Sequence, residues 1–222
     1  MKTVAIIPAR LHSTRFPKKI LYLIDEKPMV VHVYENAKKS EIIDDVFVAV
    51  DDDETIKELK KWKVKTIMTG VDHVSGTDRI YEASKTINAD IIVNVQADEP
   101  FIDHNLIDLI VKEFDDESIE IVTAAGKSLN AKQLNDYNTV KVMLDSDRFA
   151  TTFRRDPIEI EAGGYYHHSG IYAYRKDILE KFTSLGQSIN EKEFKLEQFR
   201  ALDNGISIKV VLVDRVAKGI DT

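Results

Sequence analysis

The chain has 222 residues, 43% of them apolar and 31% charged, with a formal net charge of −7 and no cysteine. This is the profile of a globular protein with room for a sizeable core, and the lack of cysteine excludes disulfides, zinc-thiolate sites and thiol catalysis. No apolar run approaches the ~18 residues of a membrane span, net acidity argues against nucleic acid as the main partner, and the segment from Met1 to Pro8 is too short for a signal peptide, so a cytoplasmic protein with no membrane partner is expected.

Read in chain order, Thr3–Pro8 is a short β-branched run closed by proline and predicts a strand. Ala9–Lys19 is polar loop, and Met29, Val30, Val33 and Ala37 give Pro28–Lys38 helical spacing. Asp45–Val50 reads as a strand, Asp53–Lys61 as a helix, Lys65–Met68 as a short strand and Asp78–Lys85 as a helix. Asp90–Val95 is a nearly continuous apolar strand, followed by a helix over Leu106–Phe114 and strands over Ile119–Ala125 and Thr139–Leu144. Beyond these come a strand at Tyr165–Tyr174, helices at Lys176–Thr183 and Asn190–Leu202, and a strand at Ile206–Val213. Strands apolar on both faces, alternating with amphipathic helices, imply an α/β fold: a mostly parallel central sheet with helices on both faces. No repeat or linker interrupts the chain, which reads as a single domain over residues 1–222. Ligands of such sheets sit beyond the carboxyl ends of the strands, which directs attention to the loops after Ile7, Met68 and Val95.

The first of these loops runs Pro8-Ala9-Arg10-Leu11-His12-Ser13-Thr14-Arg15-Phe16-Pro17-Lys18-Lys19 and contains no acidic residue. It has neither a glycine-rich phosphate fingerprint nor a Walker lysine. Arg10 and Arg15 could instead fork onto phosphate oxygens, with Lys19 as a mobile point charge; a solvated basic loop is the plain alternative. Asp98, just past the buried strand Asp90–Val95, suits a magnesium ion bound to nucleotide phosphates, or else a turn-capping role before Pro100. Ser75 or Thr77 can N-cap the helix that follows, whose amides could also receive an anion or a base carbonyl. Asp51-Asp52-Asp53-Glu54 looks like a metal cluster but reads better as the acidic start of a helix. His167 and His168 are adjacent on a strand and face opposite ways, which speaks against a shared metal. Leu196-Glu197-Gln198-Phe199-Arg200 is read as an amphipathic helix with Leu196 and Phe199 inward.

Taken together, these segments resemble the Kdo (3-deoxy-manno-octulosonate) cytidylyltransferase family over nearly the whole chain. The matching blocks are Ile7-Pro8-Ala9-Arg10 with Ser13-Thr14-Arg15, Pro17 and Lys19; Met68-Thr69 with Asp72-His73 and Ser75-Gly76-Thr77-Asp78-Arg79; and Asn94-Val95-Gln96 with Asp98-Glu99-Pro100. They continue with Val140-Lys141-Val142, His168 with Gly170-Ile171-Tyr172, Leu196-Glu197-Gln198 with Arg200, and Gly219-Ile220-Asp221-Thr222. The first block is shared with sialic-acid-type cytidylyltransferases; the Gln96, Gly170-Ile171-Tyr172 and Leu196-Glu197-Gln198 blocks point to the Kdo branch.

The resemblance implies a GT-A-like, nucleotidyltransferase-type α/β fold. Its nucleotide-binding part would cover roughly residues 1–140 and a smaller, mixed α+β sugar-binding and dimerisation part roughly 141–205, with 206–222 returning to the core. It also implies a homodimer and dependence on magnesium, held by Asp98 and Asp221. The substrates would be CTP and an acidic keto-sugar, joined as CMP to the anomeric hydroxyl with release of pyrophosphate. The implied nucleotide contacts are Pro8, Ala9, Arg10, Arg15, Lys19, Asp72, Ser75 and Gly76. The implied sugar contacts are Gln96, Arg155, His168, Tyr172, Glu197 and Gln198. Catalysis would fall to Arg10, Lys19, Asp98 and Asp221.

The chain departs from the family pattern at four places. Phe153-Arg154-Arg155 stands where the family has Phe-Ser-Arg, Ser169 replaces a leucine, and the stretch from Asp156 to Tyr166 is shorter. The family also continues into a helix past Thr222. The sugar is therefore left open between Kdo, its 8-amino analogue and a sialic-like nonulosonate. A non-catalytic nucleotide-binding protein is the alternative of another class.

Overall fold

The structure, a computed structural model, describes residues 1–11, 18–158, 164–217 and 219–220. Packing divides the chain into two units: Met1–Val111 joined by the tail from Ala217, and Lys112–Val216.

In the first unit, β1 (Thr3–Ala9) is followed by a hairpin of β2 (Leu23–Ile24) and β3 (Lys27–Pro28), then α1 (Met29–Ala37), β4 (Asp45–Val50) and α2 (Asp53–Lys60). β5 (Thr66–Met68), α3 (Gly76–Ser84), β6 (Ile91–Asn94) and α4 (His104–Lys112) complete it. The strands run in the order β6-β1-β4-β5 and all pair in parallel. Val4, Ala5, Ile6 and Ile7 are each 0% exposed. Because consecutive strand residues point to opposite faces, both faces of the sheet are covered, as the unbroken apolar runs require. α1 packs on β1 and β4, and α3 on β1, β4 and β6. Burying one Val or Ile side chain contributes roughly 1.5–3 kcal/mol, so the packed sheet, rather than local propensity, fixes where the strand ends present their loops.

The acidic run after β4 starts a helix as expected: Asp52 Oδ1 accepts the Glu54 and Thr55 amides at 2.7 and 3.1 Å and caps α2. Ser75, not Thr77, caps α3, so that helix begins at Gly76 rather than Asp78, and Thr77 is buried. The β2–β3 hairpin was not legible. Its turn is made by Asp25 and Glu26 at φ 47° and 64°, a conformation usually announced by Asn-Gly or Asp-Gly.

The second unit contains β7 (Ile121–Gly126), α5 (Ala131–Asn135), β8 (Lys141–Leu144), β9 (Ala150–Arg154), β10 (Tyr165–Arg175), α6 (Lys176–Ser184), α7 (Ile189–Phe194), α8 (Gln198–Asp203) and β11 (Ile208–Val213). Its strands lie in the order β11-β7-β10-β8-β9, with β11 parallel to β7 and the rest antiparallel. The second unit is thus a mixed α+β arrangement.

One element is corrected. Asn190–Leu202 is not a single helix: it breaks into α7 and α8 at Lys195, which adopts the left-handed conformation at φ 54°. The cause is a buried pair. Arg200 donates through Nε and Nη2 to the two carboxylate oxygens of Glu191 at 2.9 and 2.6 Å. In a continuous helix, residues nine apart lie on opposite faces and roughly 13 Å apart along the axis, so this fork forms only if the helix breaks.

β10 also departs from a regular strand. His168 and Ser169 pair with Ala125 and Ala124, but the next partner, Thr123, pairs with Tyr172. Gly170 and Ile171 are thus extra residues in a bulge.

Candidate functional site

In the first unit the described candidates gather at the carboxyl end of the sheet. Pro8 and Ala9 end β1, and Arg10 follows, exposed. The basic loop is clamped at its base: the Leu11 amide donates to Asp51 Oδ1 at 3.0 Å, and the Lys18 amide donates to the Leu11 carbonyl at 3.1 Å. Arg15 lies outside the described residues. Lys19 Nζ reaches Asp98 Oδ2 at 2.9 Å, joining the far end of the basic loop to the loop after β6.

Asp51 has a second task. Its Oδ2 accepts Arg79 Nη2 at 3.0 Å, while Arg79 Nη1 donates to Thr69 Oγ1 at 2.7 Å and to the Gly70 carbonyl at 3.1 Å. Both side chains are buried. One ion pair therefore ties the start of the first loop to the start of the loop after β5.

That second loop carries Asp72, which is exposed, and ends at the Ser75 cap. It is held by Glu82, which accepts the Gly70 amide and bonds His73 Nε2. Burial pushes the Glu82 carboxyl up, but the Gly70 amide and His73 outweigh it and the net shift is downward. The N-terminus of α3 lies against the ends of two strands. A Cβ at Gly76 would sit 3.2 Å from Pro8 Cγ and 4.0 Å from Gln96 Oε1, so only glycine allows this approach without displacement. Gln96 itself donates to Asn94 Oδ1 at 3.2 Å.

Among the described residues no three acidic or histidine side chains gather as a ready metal cage. A magnesium ion on a nucleotide needs less: one or two carboxylates, with phosphate oxygens and water completing the shell. Asp98 fits that role, since its carboxylate is 36% exposed and only Oδ2 meets Lys19. Its backbone carbonyl accepts the Ile220 amide at 2.9 Å. Asp221, the other expected ligand, lies outside the described residues.

In the second unit the structure joins His168, Tyr172 and Gln198. Tyr172 Oη lies 2.8 Å from His168 Nε2 and is hydrogen-bonded to the Gln198 side chain. In a regular strand, residues four apart sit ~13 Å from each other; the bulge at Gly170-Ile171 brings these two rings to a centroid distance of 5.4 Å. His168 also meets the edge of Phe153 at 5.2 Å. Burial, with further repulsion from His167 and Arg155, lowers the His168 pKa to about 3, so its imidazole is neutral near pH 7. Burial raises the Tyr172 pKa well above its usual value.

Glu197 is half-buried, 3.7 Å from Arg200. Arg155 is half-buried, and its backbone carbonyl accepts Lys141 Nζ at 2.8 Å. Lys141 is 0% exposed and also bonds the Asp136 carbonyl at 2.8 Å. His167 points elsewhere, 3.3 Å from Gln133 Nε2 through Nδ1, as adjacent strand residues should.

Sequence reasoning missed the supporting residues. Asp51 and Arg79 are 28 positions apart in the chain, so no local pattern pairs them. Thr123 sits inside the apolar strand Ile121–Gly126 and looks like an ordinary β-former, yet its hydroxyl bonds the bulge. Lys141 gave the one available signal, a cation inside a strand pattern.

Comparison with known proteins matches residues 4–208 to the family described as cytidylyltransferase. The 3-deoxy-manno-octulosonate cytidylyltransferase of Chloroherpeton thalassium is 40% identical over 230 residues, covering 100% of this chain and 94% of that protein. That of Thermodesulfovibrio yellowstonii is 40% identical over 240 residues, covering 100% of this chain and 94% of that protein. Among solved structures, a CMP:2-keto-3-deoxy-manno-octonic acid synthetase complexed with CTP superposes with a TM-score of 0.95 at 37% identity, covering 100% of this chain and 94% of the other. With two strand-end loops built on an α/β sheet and full-length likeness of this kind, the chain belongs to the 3-deoxy-manno-octulosonate cytidylyltransferase family.

Proposed function

We propose that this chain transfers CMP from CTP to the anomeric hydroxyl of Kdo, releasing pyrophosphate, as a step toward lipopolysaccharide. The observation that carries the reading is the Lys19–Asp98 contact at the carboxyl end of a parallel sheet, beside the glycine-tight start of α3. It puts a cation and a carboxylate where a nucleotide triphosphate and its counter-ion are bound in such sheets.

In this reading CTP rests on Pro8, Ala9, Arg10, Arg15 and Lys19, with its base toward the loop carrying Asp72, Ser75 and Gly76. Ser75 Oγ accepts the Asp78 amide and caps α3, whose start at Gly76 offers a backbone setting for a base carbonyl. The sugar is read by Gln96, Arg155, His168, Tyr172, Glu197 and Gln198. Of these, Arg155 supplies the charge for the sugar carboxylate. The neutral His168 acts as a hydrogen-bonding group, not a counter-ion.

The sugar C2 oxygen attacks the α-phosphorus as the bond from that phosphorus to the bridging oxygen breaks and pyrophosphate departs with the electron pair. The hydroxyl proton passes to solvent or a carboxylate. Arg10 and Lys19 stabilise the charge growing on the leaving group. Asp98 and Asp221 would hold magnesium, which when bound neutralises phosphate charge and acidifies the attacking hydroxyl. A homodimer belongs to this reading, and the cytoplasm fits a consumer of CTP. No helix among the described residues is long and apolar enough to cross a membrane.

The test is pyrophosphate release from CTP and magnesium with Kdo, 8-amino-Kdo or a sialic-like nonulosonate. Fastest turnover with Kdo is expected. Preference for either other acid would reassign the sugar, and CTP binding without turnover of any sugar would support a non-catalytic protein.

A further inference from the structure

The second unit contains a buried hydroxyl that none of the roles above uses. Thr123, on β7, is 0% exposed. Its Oγ1 donates to the Ile171 carbonyl at 2.7 Å and lies 3.3 Å from the Ser169 carbonyl. Both carbonyls belong to the bulged stretch of β10. The same oxygen lies 3.1 Å from His168 Nε2.

These contacts have a definite polarity. A backbone carbonyl can only accept, so the single Thr123 proton is committed to the bulge. Toward His168, Oγ1 then presents only lone pairs. A neutral imidazole carries one proton, and an acceptor at Nε2 selects the tautomer that has it there. Nε2 also faces Tyr172 Oη at 2.8 Å. With the imidazole as donor, its single Nε2 proton is shared between Thr123 Oγ1 and the phenol oxygen in a three-centre bond, and the phenol's own proton is turned away from His168. The phenol is also hydrogen-bonded to the Thr123 side chain, and its proton is then available to Gln198, to Thr123 or to a ligand oxygen.

Resting on the proposed sugar-transfer reading, we infer that Thr123 is a positioning residue for sugar recognition: by pinning the Gly170-Ile171 bulge and accepting from His168 Nε2, it sets Tyr172 as a hydrogen-bond donor to the sugar. The threonine does not touch the substrate. It acts through the spacing of His168 and Tyr172 and through the direction of one proton relay. Loss of the hydroxyl leaves the Ile171 carbonyl without its donor and lets the imidazole proton move to Nδ1. A reader aimed by such a chain discriminates strongly, because a misdirected proton leaves a buried group unpaired.

The experiment combines tautomer measurement with kinetics. Nitrogen-15 NMR of histidine-labelled protein is expected to show His168 protonated at Nε2 in the wild type, and a mixture in Thr123→Val. The valine variant should raise the sugar KM about tenfold or more, leaving the CTP KM within a factor of two, and Thr123→Ser should restore both tautomer and KM. Tyr172→Phe should raise the sugar KM as well, and the double variant should add little to the larger single effect. If Thr123→Val does not fold, Thr123→Ala and the serine variant carry the same comparison. A wild-type proton on Nδ1, or an unchanged sugar KM in the valine and alanine variants, overturns the inference. Wild-type protein that turns over no sugar overturns the function reading instead, while the tautomer measurement still decides the role of Thr123.

Discussion

Lys19 and Asp98 are 79 positions apart in the chain, and their side chains meet at 2.9 Å. The pair is partly solvent-accessible, 13% and 36% exposed. An ion pair of that exposure contributes at most about 1 kcal/mol to folding. Its placement therefore bears on binding and chemistry more than on stability.

Asp98→Asn is expected to abolish pyrophosphate release while moving the Tm by no more than a few degrees. Lys19→Ala should lower kcat on the order of 100-fold, the scale for removing one preorganised charge donor. Chelation with EDTA should stop the wild-type enzyme, and added magnesium should restore it. Turnover of Asp98→Asn at the wild-type rate would remove Asp98 from the metal site.

Lys141→Met is expected to act on both stability and sugar binding. The buried ammonium bonds the carbonyls of Asp136 and Arg155, with Asp156 at 3.4 Å. Burial lowers its pKa, yet these acceptors keep a cation tolerable there. Methionine fills similar volume but leaves the carbonyls unpaired, at about 1–3 kcal/mol each. Denaturant melts should show the loss, and steady-state kinetics should show a higher sugar KM because the Arg155 backbone is released. A stability loss with an unchanged sugar KM would separate Lys141 from the sugar contacts.

Arg200→Met should destabilise by about 3–5 kcal/mol, since it strands the buried Glu191 carboxylate. Burial pushes the Glu191 carboxyl up, and Arg200 together with the Ser188 amide more than offsets this, holding it below the usual range. Replacing both partners by Met and Leu should recover most of the loss. If the double variant is as unstable as the single one, the break at Lys195 depends on something other than this pair.

Stability should fall on acidification below pH 6.5, before the carboxylates titrate. His168 is held neutral down to about 3 in the fold, against 6.5 when unfolded. Between those values the unfolded chain binds more protons, so stability rises with pH across this window and is lost as pH falls through it. The full term amounts to a few kcal/mol. His167, also lowered by burial, acts in the same direction. His168→Gln should therefore have a shallower stability slope between pH 6.5 and 4.5 than the wild type; parallel slopes would mean that His168 is solvated.

Much of this was legible because the first unit follows local rules. Unbroken aliphatic runs mark β1 and β6, and the acidic cluster at Asp52 caps α2 where the dipole predicts. Most of what failed had a determinant distant in the chain and close in space, the hairpin turn being a local exception. The α7–α8 break comes from a fork between Glu191 and Arg200, and the hairpin turn at Asp25-Glu26 lacks the glycine that would announce it. Gly170-Ile171 gave a motif but no geometry, and the bulge that brings His168 to Tyr172 is visible only in the pairing with β7.

The bond from the Ile220 amide to the Asp98 carbonyl joins points separated by more than half of the sequence. On the ribosome, Asp98 emerges long before its anchor has been translated. A nascent chain released early could pair the strands of its first unit, yet the loop bearing this carboxylate would stay untied. Synthesis of the tail is thus built into maturation of the loop, and an abortive fragment would lack the anchor rather than compete as a half-working enzyme.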